Sequence, residues 1–340
     1  MSYANTPAKI HHLDTIIDKI KSGEETIIAL PFVKNAKVNP RIAQSKYTQL
    51  PKFTSDTKPE ALLSQTKQGQ VVAIRNKAYI NDRGQMVELG ISTEMYEKLF
   101  PTYQTLCIRQ GDKTGDCYFL SGGLMTFMKN DYAKVNLLKL LKQDGNDIVI
   151  TFPGYPNNPV RFENGIVNLQ ELHADTSLGN LMIEQAYAKA KYANANNIQD
   201  ASKVDADKAM DFIYGGIASD VFNEILGTND GIDYVMNSYS HVEEKPKHYK
   251  MTTPQEMQAL LDKYANRNDV LISGGSGSRD GGYLPEYGIT PNHAYSIEKI
   301  DPENKTVTVI NPYNNLYCMT ITYDQFIENF STLSVKELDI

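Results

Sequence analysis

An α+β fold of two lobes is expected for this chain, on three observations. Apolar residues around Cys117 recur at helical spacing, those around His293 and Asn311 alternate as in strands, and the pattern changes from one to the other near residue 230. A cleft between a helix-rich lobe and an antiparallel β-rich lobe suits chemistry that needs residues from both. The expected organisation is an N-terminal segment at 1–90, a helix-rich lobe at 91–230 and a β-rich lobe at 231–340.

The elements follow in order. Ile10, Leu13, Ile16, Ile17 and Ile20 have helical spacing over 10–22 and stop near Gly23. Thr26 to Val33 reads as a strand. Residues 34–70, rich in Lys, Pro, Ser, Thr and Gln, read as a linker with one short helix at 59–64. Strands are expected at 71–75 and 77–80, and Asn81-Asp82-Arg83-Gly84 turns into a third at 85–89. A helix at 93–99 has Ser92 or Thr93 as its cap and stops before Pro101.

From Asp116 the period is helical again. Cys117 lies in the first turn, and Phe119, Leu120, Leu124, Phe127 and Met128 make the apolar face. A helix at 132–142 follows, then strands at 147–152, 160–162 and 166–169, with the hairpin pair Asn164-Gly165 between the last two. Helices at 179–195, 205–214 and 218–226 complete the lobe. Thr253-Pro254-Gln255-Glu256 is a capping box with proline at the first helical position, opening a helix that runs to about Asn266. Strands at 269–273, 293–300, 305–311 and 316–321, a helix at 323–330 and a last strand close the chain.

The bulk composition removes several function classes. A formal net charge of −7 argues against a nucleic-acid partner and against an anionic membrane surface. No apolar run is long enough for membrane insertion as a helix, and Met1 to Lys9 lacks the apolar run of a Sec-type signal peptide. A cytoplasmic location is expected, with export by a route that needs no such signal left open; oligomeric state is not legible. The cysteines Cys107, Cys117 and Cys318 include no C-x-x-C spacing, so neither a zinc ribbon nor a redox pair is expected and at least one thiol is free or paired between chains.

Of these thiols, Cys117 has the context of a nucleophile. The first turn of a helix favours the thiolate through its free backbone N–H groups. Gly115, ahead of it, lets a substrate backbone approach. His293 follows a glycine-rich stretch, 273–282, and opens an apolar strand; Asn311 lies on the strand expected to pair with it. A nearby imidazole can take the thiol proton and return it to a leaving amine, and an Asn oxygen can hold the ring in place. His11 and His12 are adjacent, point to different sides of their expected helix and are read as surface, while His173, His241 and His248 sit in polar surroundings with no ligand-spaced partner.

Four segments carry a resemblance. Gln110-Gly111, Gly115-Asp116-Cys117-Tyr118, Asn292-His293-Ala294-Tyr295-Ser296 and Asn311-Pro312-Tyr313-Asn314 stand in the order in which the calpain family has Gln-Gly, Gly-Asp-Cys-Trp, Gly-His-Ala-Tyr-Ser and Asn-Pro-Trp-Gly. Glu184-Gln185-Ala186-Tyr187-Ala188-Lys189 and Tyr214-Gly215-Gly216 are similar to two further segments of that family. The chain, over roughly 90–340, thus resembles the core of a calpain-like cysteine protease.

The resemblance implies a papain-like two-lobe fold and an endopeptidase acting on proteins or peptides. It implies Cys117 as nucleophile, His293 as base and acid, Asn311 as its orienter and Gln110 in the oxyanion hole. Gly115, Asp116 and Tyr313 would support the cleft. Three departures stand out: tyrosines at 118 and 313 where the family has tryptophan, Asn292 in place of glycine, and one extra residue between Gln110 and Cys117.

The resemblance also makes calcium an available cofactor, although nothing in the sequence requires one and no ligand set maps onto it. Asn229-Asp230-Gly231-Ile232-Asp233 lacks the full ligand pattern of a calcium loop and is read as a turn. Gly274-Gly275-Ser276-Gly277-Ser278 lacks the ending of a phosphate cradle and is read as a mobile loop flanking the cleft. Cys107 and Cys318 are read as small apolar residues. Segment 1–90 has no counterpart in the resemblance; it either restrains the site or completes the fold. Two other functions stay open: a catalytically silent calpain-like protein-binding module, and a thiol acyltransferase of transglutaminase type, against which Asn311 in place of an Asp argues.

Overall fold

The computed structural model describes residues 72–74, 78–80, 86–101, 108–111, 114–167, 174–236, 248–277, 288–313 and 318–339. The expected helix at 10–22, the strand at 26–33, the linker 34–70, Cys107, His11, His12, His173 and His241 lie outside them. Three short strands, β1 (Val72–Ile74), β2 (Ala78–Ile80) and β3 (Met86–Glu88), form an antiparallel sheet. Helix α1 (Thr93–Leu99) starts at Ser92, whose side chain accepts the Met95 N–H.

The helix-rich part begins with β4 (Arg109–Gln110), which pairs with β8 (Ala174–Asp175). After Cys117 the chain forms a π-helical segment, Phe119–Met125, that runs into α2 (Thr126–Lys129). The wider turn has a local cause. The Thr126 hydroxyl and backbone N–H both reach the carbonyl of Ser121, five residues back, across the weak helix formers Gly122 and Gly123. Helix α3 (Asp131–Lys139) is capped by Asn130. The strands β5 (Leu141–Asp144), β6 (Asp147–Ile150) and β7 (Val160–Phe162) make one antiparallel sheet. Helices α4 (Leu178–Ala195), α5 (Ala206–Phe212) and α6 (Ala218–Leu226) follow. Their apolar faces meet around Phe119, which stacks on Tyr187 at 4.2 Å, and Phe222.

The second part is a seven-stranded sheet in the order β10 (Tyr249–Thr252), β9 (Ile232–Met236), β15 (Phe330–Glu337), β11 (Val270–Ser276), β12 (Ala294–Asp301), β13 (Thr306–Ile310), β14 (Cys318–Thr322). Helix α7 (Pro254–Tyr264) has the capping box of Thr253 and Glu256; α8 (Tyr323–Asn329) has another, built by Thr322 and Gln325. A second core forms here around Met257, Leu261, Tyr295, Phe326 and Phe330.

Several expectations are corrected. The sheet is mixed, because β9 and β10 pair in parallel while the other pairs are antiparallel. The helix expected to 142 stops at Lys139, since Leu141 pairs with Ile150 across β5 and β6 and a strand partner outweighs continued helical spacing. The strand expected from Ile166 does not start there. Asn164 and Gly165, at φ 53° and 62°, do turn the chain, but Ile166 is 67% exposed and β7 takes its partner from upstream. The glycine-rich stretch from Ser273 is not a loop as far as Ser276. It is strand β11, with Gly274 against the Phe330 ring and Gly275 against Thr332, where a side chain would collide. Among the described residues, no helix is long and apolar enough to cross a membrane.

Candidate active site

Cys117 lies in the turn that opens the π-helical segment, where the carbonyl of Asp116 accepts the N–H groups of Phe119 and Leu120. Its thiol meets the backbone N–H of Ala294, the first residue of β12 and the neighbour of His293. The nucleophile candidate of the helix-rich part is thus brought to the start of a strand in the other part. Burial pushes the thiol above its ordinary value; the Ala294 N–H opposes this, the Asp116 charge adds to it, and the N–H groups of Tyr118 and Cys117 oppose it. The backbone donors at the helix start do favour the thiolate, as expected, but burial is the larger effect on the Cys117 thiol.

His293 is buried, and its backbone is fixed before its ring is. Its N–H donates to the Ser276 hydroxyl at 3.0 Å, and its carbonyl accepts the Ser276 N–H at 2.8 Å. Asn292, just ahead, has φ 51°. This left-handed conformation favours glycine and is tolerated by asparagine.

The ring Nε2 lies 2.9 Å from Asn311 Oδ1, which also accepts the Tyr313 backbone N–H at 2.9 Å. Two donors on one oxygen fix the amide orientation and put the imidazole proton on Nε2. The lone pair is then on Nδ1, the arrangement a general base needs. Tyr313 stacks on the ring at 4.5 Å and 16°, and Tyr295 meets it edge-on at 5.2 Å. Burial lowers the His293 pKa from its ordinary value, and the Asn311 bond opposes that shift.

Gln110 is buried beside this group. Its backbone N–H donates to the carbonyl of Pro312 at 2.8 Å, tying β4 to the turn that carries Asn311 and Tyr313. Its Nε2 donates to the Thr114 carbonyl at 2.8 Å, which occupies one of two amide hydrogens. Gly115 packs face-on against the Tyr214 ring, and a Cβ there would come within 2.6–2.8 Å of three ring atoms.

Asp116 is fully buried and hydrogen-bonds Glu184 of α4, whose carboxyl is pushed well above the ordinary range by burial and then by the Asp116 charge. Burial and the like charge of Asp116 both favour the protonated form of Glu184. Tyr118 is buried under Gly216, and burial raises its pKa strongly; the neighbouring Tyr187 hydroxyl donates to Glu224 at 2.5 Å.

All seven candidates therefore belong to one neighbourhood: Cys117, Asp116, Gly115 and Gln110 from one part, His293, Asn311 and Tyr313 from the other. Sequence reasoning missed Ala294, whose contribution is a backbone N–H, and Ser276, hidden in a glycine-rich stretch. It also missed a role for Glu184, although a carboxylate inside the apolar run from Leu181 to Ala186 is a legible signal of a buried partner.

The Asn229–Asp233 turn does not fit a cation. Asp230 pairs with Lys336 at 2.8 Å, and Asp233 accepts hydrogen bonds from Ser219 and Ser334 at 2.5 Å each. No cluster of His, Cys, Asp or Glu suited to a metal occurs among the described residues. Compared with known protein-family models and with curated proteins, the chain matches none.

Proposed function

We propose that this chain is a calpain-like cysteine endopeptidase with a papain-like arrangement of two lobes. The observation that carries the reading is the Nε2–Oδ1 bond of 2.9 Å between His293 and Asn311, under the Tyr313 ring, next to a backbone N–H that meets the Cys117 thiol. The chemistry follows from that arrangement. His293 Nδ1 takes the thiol proton as Cys117 sulfur bonds to the scissile carbonyl carbon. The resulting oxyanion is met by the second amide hydrogen of Gln110 and a backbone N–H at Cys117. The imidazolium returns the proton to the amine as the C–N bond breaks, leaving a thioester. Water, deprotonated by the same imidazole, then releases the acid and restores the thiol. Proteins or peptides are the substrates, and the cytoplasm is the proposed location.

The test is hydrolysis of quenched-fluorescence peptides by the full chain. Cys117→Ala and His293→Ala should each abolish it. Asn311→Ala should lower kcat by about a hundredfold or less, because orientation is lost while the base remains. An Asn311→Ala protein with unchanged kcat, or a Cys117→Ala protein that still cleaves, would overturn the assignment.

A further inference from the structure

We propose that Tyr214 determines specificity at the Cys117 site, its ring serving as a platform for an aromatic or large aliphatic side chain of the substrate. The inference deepens the protease reading and rests on Cys117 as the nucleophile. Tyr214 is 73% exposed, the most exposed large apolar side chain among the described residues. Isolated surface tyrosines are ordinary; this one differs in what holds it.

One face of the ring lies on Gly115, two positions ahead of Cys117, so closely that a Cβ would collide with it. The Gly215 N–H donates to the Gly115 carbonyl at 2.8 Å, and Gly216 packs on the Tyr118 ring, where a Cβ would approach to 2.4 Å. The segment 214–216 is therefore pinned to both sides of the nucleophile. Gly215 sits at φ 81° with nothing within 4 Å of where its Cβ would be, which leaves open space beside the ring. The Tyr214 hydroxyl makes no hydrogen bond among the described residues, so that end does not anchor the ring. A rigid aromatic surface, open to water and next to an open backbone segment at a thiol, suits contact with an apolar side chain.

The experiment uses tripeptidyl chloromethyl ketones in which each position in turn carries Phe or Gly. The second-order rate of Cys117 alkylation is read by mass spectrometry. At one position Phe should react faster than Gly by about tenfold or more. That ratio should fall towards one in Tyr214→Ala and in Tyr214→Ser, and persist in Tyr214→Phe. A wild-type protein with no preference at any position, or Tyr214→Ala with the wild-type ratio, would overturn the inference. Selective alkylation without peptide hydrolysis would sink the protease reading and leave this one standing, because alkylation needs recognition and a thiol but no turnover.

Discussion

At the scale of single residues, the site is governed by what burial does to two groups of opposite kind. Water is withheld from both Cys117 and His293, so the thiol is raised and the imidazole lowered, and the neutral pair is favoured over the ion pair. Asp116 adds to the cost of a thiolate. Replacing it with the neutral isostere, Asp116→Asn, should shift the pH profile of Cys117 alkylation by iodoacetamide to lower pH. A profile that stays in place or moves upward would show that the Asp116 charge does not reach the sulfur. His293 must be neutral to accept a proton, and burial holds its pKa below an ordinary histidine's 6.5. The acid limb of kcat/KM for peptide hydrolysis should therefore lie below pH 6.5. A limb above that value would mean that a different group, or an anion beside His293, sets it.

At the scale of elements, α6 is one of the pieces through which the helices meet the sheet. Its Ser219 hydroxyl and the Ser334 hydroxyl of β15 both donate to Asp233 of β9, which is fully buried. Burial raises this carboxyl to about 6 against the help of the two serines; Asp220 adds to the rise and His248 opposes it. Between the ordinary value of 3.8 and about 6 the folded chain keeps a proton that the unfolded chain has released. Stability must then fall as pH rises through that window and level off above it, by roughly 3 kcal/mol. Asp233→Asn, neutral throughout and able to accept one serine hydroxyl while donating to the other, should lack this contribution. Urea unfolding of both proteins from pH 4 to 8 reads the difference, and parallel curves would disprove it.

The same helix crosses the π-helical segment at Gly122, where a Cβ would lie 2.6 Å from the Cβ of Ala218. Alanine gains about 1 kcal/mol of helix propensity at such a position. Overpacking two fixed backbones costs about 1–3 kcal/mol. Gly122→Ala should therefore be net destabilising in urea, and a stabilised variant would show that the crossing can widen freely.

At the scale of the whole molecule, the two parts are not separable bodies joined by a hinge. The core of the helix-rich part takes in Leu271 of β11 and Ile310 of β13. Polar contacts cross the same boundary: Gln110 N–H to the Pro312 carbonyl, Asn130 Nδ2 to the carbonyls of Asn268 and Val270, and Thr126 against Ser296 at 3.3 Å. Such a joint couples the unfolding of one part to the loss of the other's core. Calorimetry should give a single transition whose van't Hoff and calorimetric enthalpies agree. Two resolved transitions would show that the shared core does not hold the parts together.

Much of this was legible in the residues alone, where the cause is local. The Thr253 capping box, the stop before Pro101 and the apolar spacing of α4 are each settled within a few residues, by hydrogen bonds and side-chain periods that the chain carries wherever it goes. The candidate triad was legible for a similar reason, since a thiol after glycine, a histidine opening a strand and an asparagine before proline are chemical types in order. Only the tertiary structure decided what depends on distant partners. Leu141 is in a strand rather than a helix because Ile150 lies beside it, and Gly274 is in a strand rather than a loop because Phe330 fills the space a side chain would take. The Glu184 carboxyl is pushed up by its own burial and then by the Asp116 charge beside it, and the Cys117 thiol is pushed up because burial outweighs the backbone N–H groups that favour its charge. Spacing along the chain encodes periods and caps; desolvation and strand pairing are properties of the neighbours that folding brings together.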